Sequence, residues 1–179
     1  MIINICLIVV IIITGITLAS YNHFVRTNNR VNQSASAIDV LLNQRFDLLP
    51  NLIECVKGYS KHESETLEEL VKLRSSYNKD GFSINETEKL DKKFGNIMAI
   101  AESYPDLKAN QNFMDLQASL KEIEEKIRFA RQFYNDTVMT YQNKIEMFPS
   151  NIVANIFGFK PMTFFEATEE ERKNVQVKF

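Results

Sequence analysis

The chain has 179 residues, of which 21 are basic and 23 acidic, which gives a net charge of −2 at neutral pH. A balance so close to zero provides no long-range field for a polyanion, so it argues against nucleic-acid binding. The sequence has only 5 Gly, 4 Pro and no Trp, and this scarcity of helix-breaking residues favours long helices over many short strands.

The first element is an apolar run, Ile2–Ala19, which predicts a membrane-spanning helix. A helix of this length rises about 27 Å, close to the roughly 30 Å hydrocarbon core of a bilayer. The run has no basic residue before it and is longer than the apolar core of a signal peptide, so we expect an uncleaved anchor over residues 1–20. Its lipid-facing residues are Ile2, Ile3, Leu7, Ile8, Val9, Val10, Ile11, Ile12, Ile13, Ile16, Leu18 and Ala19.

The residues after the run predict its orientation. Tyr21 and Phe24 stand where interfacial aromatic residues are common, and Arg26 and Arg30 follow them. Because positively charged flanks remain in the cytoplasm, we expect a single-pass protein of the cell membrane with its amino terminus outside and its soluble domain in the cytoplasm.

Apolar seams predict a helical bundle over residues 21–158. The first seam has a 3.5-residue period from Val31 to Tyr59 and keeps its phase across Pro50, which favours a kinked helix. The later elements are a helical stretch from Ser64 to Tyr77, a turn at 78–81, a helix capped by Asn85 that ends before Pro105, the longest seam from Phe113 to Phe148, and a short helix from Asn151 to Phe157 closed by Gly158.

These elements predict an all-α fold, in which one N-terminal transmembrane helix precedes an elongated antiparallel bundle of three long helices plus a short C-terminal helix. Residues 159–179 form a tail of aromatic and charged residues. We expect its aromatic residues to dock on the bundle and its last ten residues or so to be mobile.

Several stretches closely resemble the LemA family of bacterial membrane proteins. They are YNHFVRTNNRV (21–31), AIDVLLNQRFDLLPNLIECVKGYSKHE (37–63), AESYPDLKAN (101–110), ARQFYNDTVMTYQNKIEMFPSNIVANIFGF (130–159) and FFEA (164–167). The resemblance implies one transmembrane helix and an antiparallel bundle, without a settled biochemical activity. It also implies a link to membrane organisation and to a neighbouring membrane metalloprotease. The chain departs from many relatives at 34–37, where SASA replaces a segment with Ala-Trp.

Ten residues are candidates for an interface or a family motif: Tyr21, Asn22, Arg45, Asp47, Pro50, Asn51, Tyr104, Pro105, Tyr134 and Asn135. Arg45 occupies a seam position, where a buried guanidinium needs a carboxylate from another helix or chain. It either forms an ion pair that fixes helix register or contacts a partner. The tyrosines either pack in the core or contact a partner.

The sequence offers no catalytic machinery. His62-Glu63 lacks the second His of a zinc-binding helix, because Thr66 stands at that position. Cys6 lies in the apolar run and Cys55 in the soluble part, so we do not expect a disulfide between them. No phosphate-binding loop or nucleophile motif occurs, so we expect no cofactor, no metal and no small-molecule substrate.

The sequence therefore predicts a non-enzymatic membrane scaffold that binds the lipid bilayer and either itself or another membrane protein. The alternative is an adaptor in membrane-protein quality control that acts with a membrane metalloprotease.

Overall fold

A computed structural model describes residues 1–57 and 104–166, together with positions 72, 75, 84, 87, 89, 91–92, 94–95 and 98–99. Within these residues the backbone is helical, with no strand, and the predicted all-α fold is confirmed. The predicted stretch 64–77, the turn at 78–81, the Asn85 cap and the end of the tail fall almost entirely outside the described residues.

Helix α1, Ile2–Asp47, joins the apolar run to the bundle without a break. From Phe24 onward its buried residues recur at steps of three and four, as a helix that packs along one side requires. They are Phe24, Thr27, Val31, Ser34, Ile38, Leu42, Arg45 and Phe46. The apolar run is therefore continuous in the chain with the part of α1 that supplies buried residues.

The chain continues from α1 into helix α2, Leu49–Lys57, after a turn at Leu48. The seam keeps its phase, because Leu49 and Leu52 are buried, and the helical course departs from regularity at Leu48 alone, in agreement with the predicted kink. This irregularity places Pro50 in the first turn of α2. At that position a missing backbone N–H leaves no hydrogen bond unmade, so the irregularity removes the conflict that Pro50 would create inside a longer helix.

A one-turn helix α3, Pro105–Lys108, leads into the long helix α4, Gln111–Glu146. The side-chain oxygen of Asn110 accepts the backbone N–H groups of Asn112 at 2.9 Å and Phe113 at 3.3 Å. Asn110 therefore caps α4, as Asn commonly does at a helix N-terminus. Helix α1 lies beside Tyr141 of α4 at Phe24 and beside Glu124 at Arg45, so the two helices run antiparallel.

The final described helix, α5, spans Ser150–Phe157, close to the predicted range. It follows a cis peptide bond between Phe148 and Pro149. Gly158 has φ of 72°, and the backbone N–H of Phe159 donates to the Ala154 carbonyl at 3.0 Å. The predicted left-handed glycine cap is therefore confirmed.

The chain divides into two compact units. The anchor unit comprises Met1–Ala35 and Ala130–Phe164, and the second unit comprises Ser36–Phe129 and Phe165–Phe179. The anchor unit has a core of Phe24, Val31, Tyr134, Val138, Tyr141, Val153 and Ala154. The described core of the second unit contains Ile38, Leu42, Phe46, Leu49, Leu52, Phe94, Leu107, Phe113, Leu116, Leu120, Ile127 and Phe165.

Candidate functional site

The apolar run at the start of α1 gives the anchor unit a long, exposed apolar surface. Within the described residues one helix is long and apolar enough to span a membrane, and none of its most apolar window is buried by protein. Large aliphatic side chains from Ile2 to Leu18 therefore face outward on all sides of the helix. Such a surface is stable in hydrocarbon and unstable in water.

The junction between the anchor and the bundle differs in one respect from the sequence interpretation. Phe24 is 1% exposed, so its reading as an interfacial aromatic residue is wrong: it is a core residue. Its ring stacks on Phe159 at 4.7 Å between centroids and meets the edge of Tyr141 at 6.2 Å. Tyr21 remains partly exposed, and its ring lies 4.9 Å from that of Phe157. The core of the anchor unit thus begins about one helical turn after the apolar run ends.

The start of the predicted tail is held against α4 by two hydrogen bonds. The Tyr134 hydroxyl donates to the Thr163 carbonyl at 3.1 Å, and the Gln142 side-chain amide donates to the Met162 carbonyl at 2.9 Å. Burial raises the pKa of the Tyr134 phenol above its ordinary value, and it does the same for Tyr141. Phe159, the first residue of the tail, stacks on the buried Phe24 ring, as the prediction that aromatic tail residues dock on the bundle requires.

Arg45 is the centre of a buried ion cluster in the second unit. The residue is 3% exposed, and its guanidinium donates to a carboxylate oxygen of Asp91 at 2.8 Å. A second carboxylate, that of Glu124, lies 3.7 Å away, and the guanidinium carbon lies 4.1 Å from the centroid of the Phe94 ring. The need for a carboxylate from another part of the chain was predictable, and Asp91 meets it. Charge and ring together hold the cation in a fixed position.

An open cleft of about 610 Å³ lies in the second unit where α1 gives way to α2. Its described lining is mostly polar and comprises Leu48, Asn51, Glu54, Cys55, Asn110, Asn112, Asp115, Leu116 and Ser119. The two acidic residues and the amides offer oxygen atoms. Among the described residues, however, no three His, Cys, Asp or Glu side chains come together as metal ligands would. The cleft contains one of the sequence candidates, Asn51.

The remaining candidates are dispersed. Asn22, Asp47 and Pro50 are exposed, Tyr104 and Asn135 are half-buried, and Pro105 begins α3. The ten candidates divide between the two units, and their assignment as interface residues stays a prediction.

Sequence reasoning missed two structurally important residues. Asp91, which pairs with Arg45, lies in a stretch where nothing in the local pattern distinguishes that acid from its charged neighbours. Val138 is completely buried and fills the gap between Tyr134 and Tyr141 in the α4 seam. A stricter search for heptad spacing would have found it, because it lies four residues from one tyrosine and three from the other.

Comparisons with known proteins give a consistent result. A model described as "LemA family" matches residues 34–179. Protein LemA of Metamycoplasma hominis is 26% identical, with 86% of this chain and 72% of that protein covered. Magnetosome protein MamQ 2 of Paramagnetospirillum magneticum is 27% identical, with 83% and 65% covered. MamQ of Magnetospirillum gryphiswaldense is 25% identical, with the same coverage. The chain thus spans just under two thirds of the length of these magnetosome relatives.

Proposed function

Because the chain belongs to the LemA family, we propose that it is a membrane-anchored helical scaffold without catalytic activity of its own, which associates with itself or with another membrane protein. The observation that carries the proposal is the continuity of α1. The same helix supplies an apolar membrane segment and, from Phe24 onward, buried core residues. An anchored bundle meets other membrane proteins in two dimensions, which raises its effective concentration toward them.

The charges of the two units support a fixed orientation at a membrane. The anchor unit has a net charge of +3, from Arg26, Arg30, Arg131, Lys144 and Lys160 against Asp136 and Glu146. The whole chain carries −2, so the second unit carries −5. Basic residues close to the end of a membrane helix favour the cytoplasmic leaflet, so we place the soluble part in the cytoplasm.

An outward-facing apolar residue of α4 supplies a surface for protein contact. Phe129 is 59% exposed in the second unit, on the side of α4 opposite the buried residues Leu120 and Ile127. The Arg128 guanidinium carbon lies 4.7 Å from the centroid of its ring. Exposed aromatic and Arg side chains are the types enriched in protein interfaces.

Site-specific photo-crosslinking in intact membranes tests the proposal. A photoreactive phenylalanine analogue at position 129 should give an adduct with a second copy or with one other membrane protein. The matched control places the same analogue at Gln117, an exposed residue of α4 on a different face. Only monomer at both positions, at native abundance, would contradict the scaffold proposal. An adduct with a membrane metalloprotease would favour the alternative of a quality-control adaptor.

A further inference from the structure

Helix α5 carries no charged residue, and only part of its apolar surface is covered. No charged residue occurs from Met147 to Phe159. Val153 and Ala154 are buried against the anchor unit, whereas Ile152 and Ile156 point outward. Asn151 and Asn155 form a polar side of α5, but the large apolar side chains that stay exposed beside them call for an apolar cover.

The exposed residues form a coherent set around α5. They are Met147, Phe148, Ile152, Ile156 and Phe157, and Phe148 and Ile156 are 79% and 70% exposed. They belong to the helix and to the turn immediately before it. We call this set the α5 surface.

Aromatic contacts place the end of the α5 surface at the end of the membrane segment. The Phe157 ring lies 4.9 Å from that of Tyr21, and Phe159 also reaches Tyr21, at 5.9 Å. Tyr21 follows Ala19 by two residues, which is about 3 Å of helix rise. The headgroup region on each side of the hydrocarbon core is about 5–8 Å deep, so Phe157 lies at the depth of that region when the apolar run spans the core.

We propose that the α5 surface inserts into the interfacial region of the same membrane that holds the anchor, so that α5 is a second, monotopic lipid contact. The proposal rests on the proposed function only in requiring that the apolar run be embedded. The α5 surface continues the lipid-facing surface of α1 through the Tyr21–Phe157 contact, which favours lipid over a second protein as its occupant. Lys160 follows directly after Phe159, where an ammonium group can meet anionic headgroups.

The absence of native Trp permits a direct test. Single-Trp variants of the full chain would be reconstituted in vesicles of phosphatidylcholine and phosphatidylglycerol, with bromine on the acyl chains as quencher. One preparation carries the bromine near the glycerol and a second carries it near the chain end. The test variants are Phe148→Trp and Ile156→Trp, whose native side chains are largely exposed, so the new rings do not disturb the core. Ile11→Trp reports on the anchor. Gln33→Trp is the matched control, because it is exposed on α1 about 21 Å of helix rise beyond Ala19.

We expect blue-shifted emission for both α5 variants with strong quenching by the bromine near the glycerol. Ile11→Trp should be quenched most by the bromine near the chain end, and Gln33→Trp by neither. Quenching of Ile11→Trp alone would overturn the α5 proposal and leave the anchored scaffold intact. A blue shift at Phe148 and Ile156 without quenching would show that protein, such as a second copy, covers the surface, and would also overturn it. Quenching of the α5 variants without that of Ile11→Trp would instead contradict the anchor.

Discussion

Removing one of the two carboxylates beside Arg45 should destabilise the protein by an amount that depends on how buried that carboxylate is. Asp91 and Glu124 both lie near the guanidinium, but the Asp91 side chain is 15% exposed and that of Glu124 is 64% exposed. Breaking a buried pair leaves an uncompensated charge and lowers the free energy of unfolding by about 3–5 kcal/mol. Because Asp91 is not wholly buried, we expect about 3 kcal/mol for Asp91→Ala, at the low end of that range.

Glu124→Gln is the matched control. An exposed pair at 3.7 Å contributes under about 1 kcal/mol, so this variant should unfold nearly as the native protein does. For a chain of this length 1 kcal/mol shifts Tm by roughly 2–4 °C, so Asp91→Ala should lower Tm by roughly 6–12 °C. Circular dichroism of the full chain in nanodiscs would measure both shifts.

A double variant tests whether the loss comes from the unpaired charge. Arg45→Met with Asp91→Leu removes both charges while keeping apolar volume, and it should recover most of the stability that Asp91→Ala loses. The reasoning would be refuted if Asp91→Ala cost no more than Glu124→Gln, or if the double variant were no more stable than Asp91→Ala. Loss of a crosslinked partner in a fully stable Arg45→Met variant would instead show that Arg45 acts in binding.

Five further variants, at three positions, test local features, each by thermal unfolding of the full chain in nanodiscs. Gly158→Ala should lower the free energy of unfolding by about 1 kcal/mol. The cause is the positive φ alone, since an added Cβ meets no atom within 4 Å. Gly158→Asn should lose less stability, and equal losses for the two variants would contradict this. Asn110→Ala should cost about 1 kcal/mol through loss of the α4 cap, whereas Asn110→Asp should retain most of it. Since burial raises the folded-state pKa of Tyr134, its contribution is fully present below pH 10 and is lost as the pH rises through the raised value. Tyr134→Phe should therefore make the alkaline loss of stability shallower, and an unchanged pH profile would contradict the assignment.

The helical seams were predictable because burial follows a period that the sequence displays. Val31, Ile38 and Leu42 are all buried, as the 3.5-residue spacing requires. The same rule could have moved Phe24 from the membrane interface to the core, because it lies seven residues before Val31. It was misjudged since aromatic residues after an apolar run are common in both places, and composition does not show which face they occupy.

The partner of Arg45 was not predictable. The seam position showed that the guanidinium needs a carboxylate, but the chain has 23 acidic residues, and the choice among them depends on tertiary packing. The α5 surface was not predictable from the sequence either. Sequence predicted the short helix and its glycine cap, yet the exposure of Ile152 and Ile156 follows only from the side on which Val153 and Ala154 pack. The interface roles of Asn22, Asp47, Pro50 and the other candidates remain predictions.

The continuity of α1 couples the packed core of the anchor unit to the tilt of the apolar run in the bilayer. No loop separates the apolar run from Phe24, Thr27 and Val31, so the packed core cannot pivot independently of the segment in the hydrocarbon. A thinner bilayer tilts a spanning helix that is too long for it. Because the helix is continuous, we expect such a tilt to turn the packed core of the anchor unit with it, so that lipid thickness influences how its surface meets the headgroups.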